Sequence, residues 1–354
     1  LMIIKKILSL TASIISVLIL FLLFLNNSNS DENNSKYYSG DSGILSLMYH
    51  RFNENEYPST NIRMNIFKEQ MKMIKDSSFE FYNPKILIDD FNNKKDRKDI
   101  LITIDDGFKS FYTEAWPYLK ENEIPFILFV STEPVGKRGY MTWDEIREIE
   151  NSKFGYIGHH SHSHEYLIDM TNDEFIDDIE TSTRIFKKEL GYSPSIFSYP
   201  FGEYSKYMKD YISKNFKIAF GQHSGVIDLN KDKYELPRFP INEKYGELKR
   251  FKSIISYSPL EYKSLSPEEK KLGEKNNPPK LTIEFFEEQK NISQITCYSN
   301  DGGEWKRPNL KFEKNFLYIE FQDPFLPRRG RINCSLNDNG KWRWFGTQFT
   351  VVKK

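Results

Sequence analysis

Short apolar segments alternate with helical patterns through residues 44–257, and this alternation constrains the fold more than any other feature of the chain. Segments such as "GILSLMYH", "DILITIDDG", "PFILFV" and "FGYIGHH" have the length and composition of buried strands. Amphipathic segments separate them, and "NIFKEQMKMIKDS" places Phe67, Met71 and Ile74 on a single helical face. Repeated strand–loop–helix units predict an α/β fold with a parallel sheet, open or closed into a barrel.

Unusual polar residues directly follow the predicted strands. Because the carboxyl ends of parallel strands meet at one edge of a sheet or barrel, these residues are expected to lie close together. The sequence therefore predicts an active site at this edge. Its members are His50, Asp105, Asp106, His160, His164 and the turn at Phe201–Gly202.

The segment "TIDDGF" puts two adjacent carboxylates, Asp105 and Asp106, at a strand end before Gly107. Like charges repel each other, and burying them is costly. A metal ion would resolve the conflict if one carboxylate bound it and the other stayed free to take a proton. The alternative is an ordinary Asp-Asp-Gly turn.

The segment "IGHHSHSHEYL" contains four of the six histidines of the chain. His160 and His164 are four residues apart and, with one aspartate, would form a metal site that leaves coordination positions open for water and substrate. His159 and His162 are expected to point elsewhere. A loosely metal-binding histidine tract without any enzyme is the alternative.

The motifs "TIDDG", "HSHSH", "SYPFGE" and "LPR", in this order, resemble those of NodB-type polysaccharide deacetylases, carbohydrate esterase family 4. The segments "LMYHRF", "FKEQMKMIK", "IPFILFVST" and "YMTWDEI" resemble the poly-β-1,6-N-acetyl-D-glucosamine deacetylase branch found in biofilm systems. The resemblance covers roughly residues 44–250. It implies a distorted (β/α) barrel of the polysaccharide deacetylase type.

The resemblance also implies roles for individual residues. Asp105 would be the general base, and Asp106, His160 and His164 would bind a divalent metal. Zinc suits these ligands best, with iron, cobalt or nickel also compatible. The backbone N–H of Phe201 would help hold the oxyanion.

The third motif departs from the family pattern. It usually begins with an arginine that orients the catalytic aspartate, and here that place is taken by Ser198. Arg238 in "LPRFP" is the candidate to replace it as the orienting residue for Asp105.

The general acid has two candidates. The first candidate is His50 in the early "YH", which matches the arrangement of the biofilm branch. The alternative general acid is His223 in "GQHSG". His223 could instead line the acetyl pocket, or simply cap a strand. With Tyr199 and Pro200, it is expected to contribute to substrate binding.

The N-terminus carries Lys5 and Lys6 before an apolar run of 19 residues without charge. Such a run is just long enough to span a bilayer, so residues 1–25 are predicted to be a membrane anchor or, alternatively, a cleaved signal peptide. Residues 26–43 are polar and predict a flexible tether. The chain is expected to be exported, facing the periplasm or cell exterior if it stays anchored and secreted if the segment is cleaved, with a polysaccharide deacetylase domain over 44–257.

The composition changes after that domain. Residues 258–279 are charged and flanked by prolines, which indicates a linker, and residues 280–354 contain short strands that predict a small all-β, sandwich-like accessory domain. Cys297 and Cys334 both lie there. In an exported chain they favour a disulfide, and two separate buried thiols are the alternative.

The predicted function is metal-dependent N-deacetylation of an N-acetylated polysaccharide outside the cytoplasm. Equal numbers of acidic and basic residues, 50 each, argue against nucleic acid as a partner. One alternative is a polysaccharide-binding protein that has lost turnover, which the missing motif-three arginine favours. A glycoside hydrolase fits poorly, because its two carboxyl groups must flank the bond at roughly 5–10 Å.

Overall fold

The computed structural model describes residues 42–94, 98–287 and 289–352. Seven strands of the first part form one parallel sheet in the order β8-β7-β6-β5-β4-β1-β9. The strands of this part are β1 (Leu45–Tyr49), β2 (Arg51–Phe52), β3 (Asn61–Ile62), β4 (Ile100–Ile104), β5 (Phe126–Val130), β6 (Gly155–His159), β7 (Ile196–Ser198), β8 (Ile218–Phe220) and β9 (Phe239–Pro240).

Helices connect these strands and cover the sheet. Strands β1, β4 and β5 are buried at every residue, as expected when helices flank a parallel sheet. The curled seven-stranded sheet confirms the predicted distorted (β/α) barrel. The helices are α1 (Met64–Lys75), α2 (Leu87–Asn93), α3 (Trp116–Glu121), α4 (Trp143–Glu150), α5 (Asn172–Leu190), α6 (Lys206–Asn215) and α7 (Leu248–Ile254).

The helix boundaries follow local sequence signals. Thr142 and Thr171 begin α4 and α5 with capping boxes, in which the threonine and a glutamate three residues later satisfy each other's backbone N–H groups. Gly191 ends α5 in the left-handed conformation, at φ 83°. On α1 the predicted face of Phe67, Met71 and Ile74 is fully buried.

One helix differs from expectation. The segment "FYTEAWPYLKENEI" predicts a continuous helix, but the structure has a π-helical turn at Phe111–Ala115 followed by α3. Pro117 lies in the first turn of α3, where its missing N–H is tolerated. Further inside a helix its ring would clash with the carbonyl four residues back, so the change at Trp116 has a local cause.

The C-terminal part is rich in strands and forms two sheets, in the orders β10-β18-β17-β14 (with β12 also pairing β18) and β11-β13-β16-β15. Cys297 and Cys334 are paired residues of β14 and β17 and are disulfide-bonded, as favoured from the sequence. The strands are β10 (Ser258–Pro259), β11 (Ser264–Ser266), β12 (Lys271–Leu272), β13 (Leu281–Glu284), β14 (Thr296–Ser299), β15 (Asn309–Glu313), β16 (Phe316–Glu320), β17 (Arg329–Asp338) and β18 (Lys341–Val351).

The segment predicted as a linker, 258–279, contributes β10, β11 and β12 to these sheets. Strand β18 also contacts the barrel, where Trp344 donates from Nε1 to Ser224 Oγ at 3.0 Å and stacks on Tyr257 at 5.2 Å. The described residues cluster as one compact unit. The exact domain boundaries stay a prediction.

The predicted anchor and tether, residues 1–25 and 26–43, lie outside the described residues except for their last two positions. Among the residues that are described, no helix has the length and apolar character needed to cross a bilayer.

Candidate metal centre and active site

The residues predicted from the strand ends meet at one edge of the parallel sheet. His50 follows β1, Asp105 and Asp106 follow β4, His160 follows β6 and the Phe201 turn follows β7. The parallel pairing of these strands brings their carboxyl ends to the same side of the barrel.

Asp106, His160 and His164 form a compact group of candidate metal ligands, called the metal group below. Asp106 Oδ1 lies 3.3 Å from His160 Nε2 and 3.0 Å from His164 Nε2, and the ligand atoms of all three residues lie within 4.8 Å of one another. His160 Nδ1 is 2.7 Å from the carbonyl oxygen of Ser198 and donates to it, which leaves the Nε2 lone pair directed at Asp106.

Two atoms of this group are better placed to bind a cation than to form a hydrogen bond with each other. Asp106 Oδ1 and His160 Nε2 are buried, and neither has a well-formed hydrogen bond within the described part of the chain. Buried polar atoms are nearly always satisfied, so a pair facing a common point is the expected signature of a cation site. Two imidazoles and a carboxylate are a donor set typical of zinc and its neighbours.

The charges of the group stabilise its ionised forms. Burial raises the pKa of Asp106, but the interaction with His164 is the largest of the effects that outweigh it and hold that pKa well below its usual value. Burial likewise lowers the pKa of His164, and the Asp106 carboxylate more than compensates, so the pKa of His164 is raised. The site therefore presents an ionised carboxylate at neutral pH.

Asp105 is held by Arg238 rather than by the histidines. Arg238 Nη1 donates to Asp105 Oδ1 at 2.6 Å and Nη2 donates to Oδ2 at 2.9 Å, and both side chains are fully buried. The same guanidinium donates to Ser198 Oγ at 2.8 Å and to Thr103 Oγ1 at 3.2 Å. Arg238 thus binds both oxygens of Asp105 and also Ser198, and its role as the orienting residue stays a prediction.

The pKa of Asp105 reflects this pairing. Burial raises the pKa, but Arg238, with smaller contributions from His160 and His50, lowers it below the usual value. Two adjacent aspartates thereby remain ionised because each has its own cationic or hydrogen-bonding partners.

His50 lies beside this pair. Its Nε2 is 3.9 Å from Asp105 Oδ2, and its side chain is 13% exposed. Burial lowers the pKa of His50, although Asp106 and Asp105 act in the opposite direction. The net shift of the His50 pKa is downward, and the imidazole is close enough to serve the same reacting group as Asp105.

The loops that carry the site have a strained backbone. Among the described residues, ten non-glycine positions have a positive φ, and four of them belong to the site motifs. Such conformations persist only where surrounding contacts impose them, and they concentrate at functional sites. The four are Asp106 (75°), Ser161 (69°), His164 (55°) and Phe201 (59°).

The histidine loop is held by a residue that the sequence reasoning missed. Asp178 of α5 accepts hydrogen bonds from the backbone N–H of His162 (2.8 Å) and of Ser163 (2.9 Å). Ser182, one turn further along α5, donates to the carbonyl of Ser161 at 2.9 Å. The signal in the sequence was a polar pair, Asp178 and Ser182, at helical spacing on the face that also carries buried apolar side chains.

The two other histidines of the cluster point away from the metal group, as expected. His162 Nδ1 lies 2.8 Å from Thr132 Oγ1. His159 is fully buried among Phe186, Phe197 and Phe216, and burial lowers its pKa to about 3.

Two of the predicted substrate-binding residues, Tyr199 and His223, have partners of their own, and their role in substrate binding stays a prediction. The Tyr199 side chain is fully buried and stacks on Tyr204. His223 lines a small cavity with Trp344. Burial lowers the pKa of His223 to about 4. The charge of Glu235 raises this pKa and that of Lys270 lowers it.

The turn after β7 begins at Pro200 and reaches the metal group through Phe201. The Phe201 ring contacts His164 at a centroid distance of 4.8 Å and stacks on Tyr166 at 4.3 Å. The Phe201 ring thus packs against one of the candidate ligands, and the oxyanion contact of its backbone N–H stays a prediction.

Comparison with known proteins agrees with these motifs. Residues 92–217 match the family model described as polysaccharide deacetylase. A putative polysaccharide deacetylase of Bacillus subtilis (strain 168), YxkH, is 24% identical over 199 residues, which cover 55% of this chain and 70% of the relative. The poly-β-1,6-N-acetyl-D-glucosamine N-deacetylase of Staphylococcus aureus (strain MSSA476) is 23% identical over 246 residues, which cover 61% of this chain and 85% of that protein.

The fold is also found among solved structures. The Streptococcus pyogenes deacetylase PplD, in complex with acetate, superposes with a TM-score of 0.56 at 20% identity. The match covers 61% of this chain and 99% of PplD. The family resemblance inferred from the motifs is thereby confirmed.

Proposed function

We propose, for this chain, whose residues 92–217 match the polysaccharide deacetylase family, metal-dependent removal of acetyl groups from N-acetylglucosamine residues of an extracellular or cell-envelope polysaccharide, with release of acetate. One observation carries the proposal: two adjacent carboxylates have different partners. Asp106 faces His160 and His164, whereas Asp105 is bound by Arg238. A hydrolytic amide site needs this division between a ligand and a base.

Asp106, His160 and His164 would hold a divalent metal ion, which when bound would polarise the acetamide carbonyl and acidify a water molecule. The chain prepares these ligands in advance, because the Ser198 carbonyl fixes the His160 tautomer. Zinc is favoured by the donor set, with iron, cobalt or nickel as alternatives.

Asp105 would act as the general base. Arg238 fixes both of its oxygens and lowers its pKa, so the carboxylate is ionised at neutral pH and can take a proton from water. The fixed orientation matters as much as the charge, since a general base must lie within hydrogen-bond reach of the proton that it removes.

Two further groups would complete the reaction. The N–H of Phe201 would donate to the oxyanion that develops on the acetamide, a contact worth about 3–4 kcal/mol in comparable sites. His50, 3.9 Å from Asp105, would protonate the leaving amine. The scheme assigns no step to Tyr199, which is buried and stacks on Tyr204, or to His223, which lines a cavity with Trp344.

The substrate class is supported by the relatives. The named relative from Staphylococcus aureus acts, by its name, on poly-β-1,6-N-acetyl-D-glucosamine, which makes a β-1,6-linked polymer the first candidate. An exported, membrane-attached location rests on the sequence of residues 1–25 alone. Cell fractionation and the mass of the mature chain test it: a soluble chain of full length in the cytoplasm would contradict it.

The main argument for a polysaccharide-binding protein without turnover was a missing arginine, and a second arginine weakens that argument. The missing motif-three arginine favoured that alternative, but Arg238 supplies the same guanidinium from another segment. The metal group also retains all three of its expected members.

Acetate release from purified protein tests the proposal directly. β-1,6- and β-1,4-linked N-acetylglucosamine oligomers are incubated with untreated, chelator-treated and zinc-restored enzyme, with Asp106→Ala as control. Release that disappears on chelation and in the variant, and returns with zinc, is the expected result, and the preferred linkage names the polymer. Oligomers that bind to fully metallated protein without acetate release would support the binding-protein alternative.

A further inference from the structure

Strand β18 of the C-terminal part reaches the turn after β7. Gln348 Nε2 donates to the carbonyl oxygens of both Phe201 (3.2 Å) and Gly202 (3.1 Å). The Gln348 side chain is 3% exposed, and its Oε1 accepts a hydrogen bond from Arg331 Nε at 3.0 Å. The amide is therefore held from its own side and directs both of its donor hydrogens at the turn.

A second contact comes from Arg328, the residue directly before β17. Arg328 Nη2 donates to Glu203 Oε2 at 2.7 Å, and Glu203 is only 1% exposed. The Arg328 guanidinium also lies 3.8 Å from the ring centroid of Tyr166, which in turn stacks on Phe201. The C-terminal strands thus contact both the backbone of the turn and the aromatic ring that packs against it.

The turn needs such support because of its backbone conformation. Phe201 has φ 59° and Gly202 has φ 67°, so two consecutive residues adopt the left-handed region. For a phenylalanine this conformation is unfavourable, because its Cβ crowds the neighbouring carbonyl oxygen. It is also tightly confined, since a Cβ on Gly202 would lie 2.5 Å from the backbone nitrogen of Gln222.

We propose that Gln348 is a positioning residue of the active site, which fixes the Phe201 turn and so aims the Phe201 N–H at the reacting carbonyl. On this basis the C-terminal strands contribute to catalysis by supporting the Phe201 turn, and are not only an appended module. They lie outside the family match at 92–217. The kinetic part of this inference rests on the proposed function; the structural part does not.

Three variants of the full chain test it. Gln348→Glu keeps the volume and the acceptor for Arg331 but removes both donors, and Gln348→Ala removes the whole group. Gln289→Ala is the matched control, because Gln289 is also a buried glutamine of the C-terminal part and its Nε2 donates to a backbone carbonyl, that of Glu261, at 2.6 Å.

The expected kinetic result is a fall in kcat of about tenfold or more for both Gln348 variants, with KM within about twofold, because an oxyanion contact acts in the transition state. Gln289→Ala should change kcat less than about twofold at a comparable shift in melting temperature. Amide hydrogen exchange should rise in the peptide covering residues 199–204 of the Gln348 variants and stay unchanged there in the control.

Two results would overturn the inference. Unchanged exchange at 199–204 in Gln348→Ala would show that the glutamine does not hold the turn. A kcat loss that the Gln289 control reproduces at equal loss of stability would show a general structural effect. If wild-type protein with bound metal releases no acetate, the proposed function fails, while the exchange measurement still decides whether Gln348 holds the turn.

Discussion

Arg238 and Asp105 form a fully buried, two-point ion pair between segments that are 133 residues apart in the sequence. The guanidinium comes from the loop before β9 and the carboxylate from the end of β4, so the pair connects non-adjacent strands of the barrel. Such fork-to-fork geometry fixes the plane of the carboxylate as well as its charge. Asp105 is therefore oriented before any substrate arrives.

The first prediction concerns this orientation. Arg238→Lys keeps the charge but offers a single ammonium group, which cannot bind both oxygens of Asp105 and also Ser198. We expect kcat/KM for acetate release to fall about 10- to 100-fold, and the free energy of unfolding to fall by about 1–3 kcal/mol because buried partners lose hydrogen bonds.

The control for it is Arg343→Lys. Arg343 is likewise buried and donates from Nε to Asp338 at 2.9 Å in the C-terminal part. This variant should lose stability to a similar extent without a comparable loss of kcat/KM. Activity of Arg238→Lys within threefold of wild type, measured alongside urea unfolding, would show that Asp105 needs no orienting partner.

The second prediction separates metal ligands from neighbouring histidines. His164→Ala should weaken zinc binding more than about 100-fold, since even outer-shell changes cost 10- to 100-fold. His162→Ala should bind zinc within about threefold of wild type, because its Nδ1 faces Thr132 and not the metal group. Zinc titration of the apoprotein measures both affinities, and equal losses in the two variants would contradict the assignment.

Much of the fold could be predicted because its signals are local. Continuous apolar runs mark β4 and β5, and Thr171 and Gly191 mark the ends of α5. The split at Trp116 was missed because a helix pattern continues through the proline, and only the fit of the two pieces decides where the helix restarts.

The site could be predicted where its residues stand in short motifs, and less well where they come from distant segments. His160 and His164 share one loop, whereas the Arg238 partner of Asp105 could only be nominated. No local sequence pattern marks Gln348 as important, because its proposed role depends on the contact between the C-terminal strands and the Phe201 turn. Tyr199 was expected to contribute to substrate binding because it stands in the third motif, whereas its side chain is fully buried and stacks on Tyr204.

The third prediction concerns Asp178, which supports the histidine loop from α5. Asp178→Ala removes the acceptor of two backbone N–H groups and should weaken zinc binding about tenfold, as outer-shell losses do. Asp177→Ala is the matched control on the same helix, since its side chain is 81% exposed. Zinc affinities that do not differ between the two variants would mean that the loop keeps its shape without Asp178.

The fourth prediction is a pH dependence of stability that comes from His223. Burial lowers its pKa from 6.5 to about 4, with Glu235 acting against this shift and Lys270 and Arg238 adding to it. Between these two pH values the unfolded chain binds a proton that the folded chain does not, so His223 contributes a loss of stability as the pH falls from 6.5 towards 4.

A His223→Asn variant lacks this titration. The difference in unfolding free energy, wild type minus variant, should therefore shrink by about 2 kcal/mol between pH 7 and pH 4.5. Urea unfolding at both pH values measures it, and a difference independent of pH would show that the imidazole is protonated as readily in the folded chain as in water.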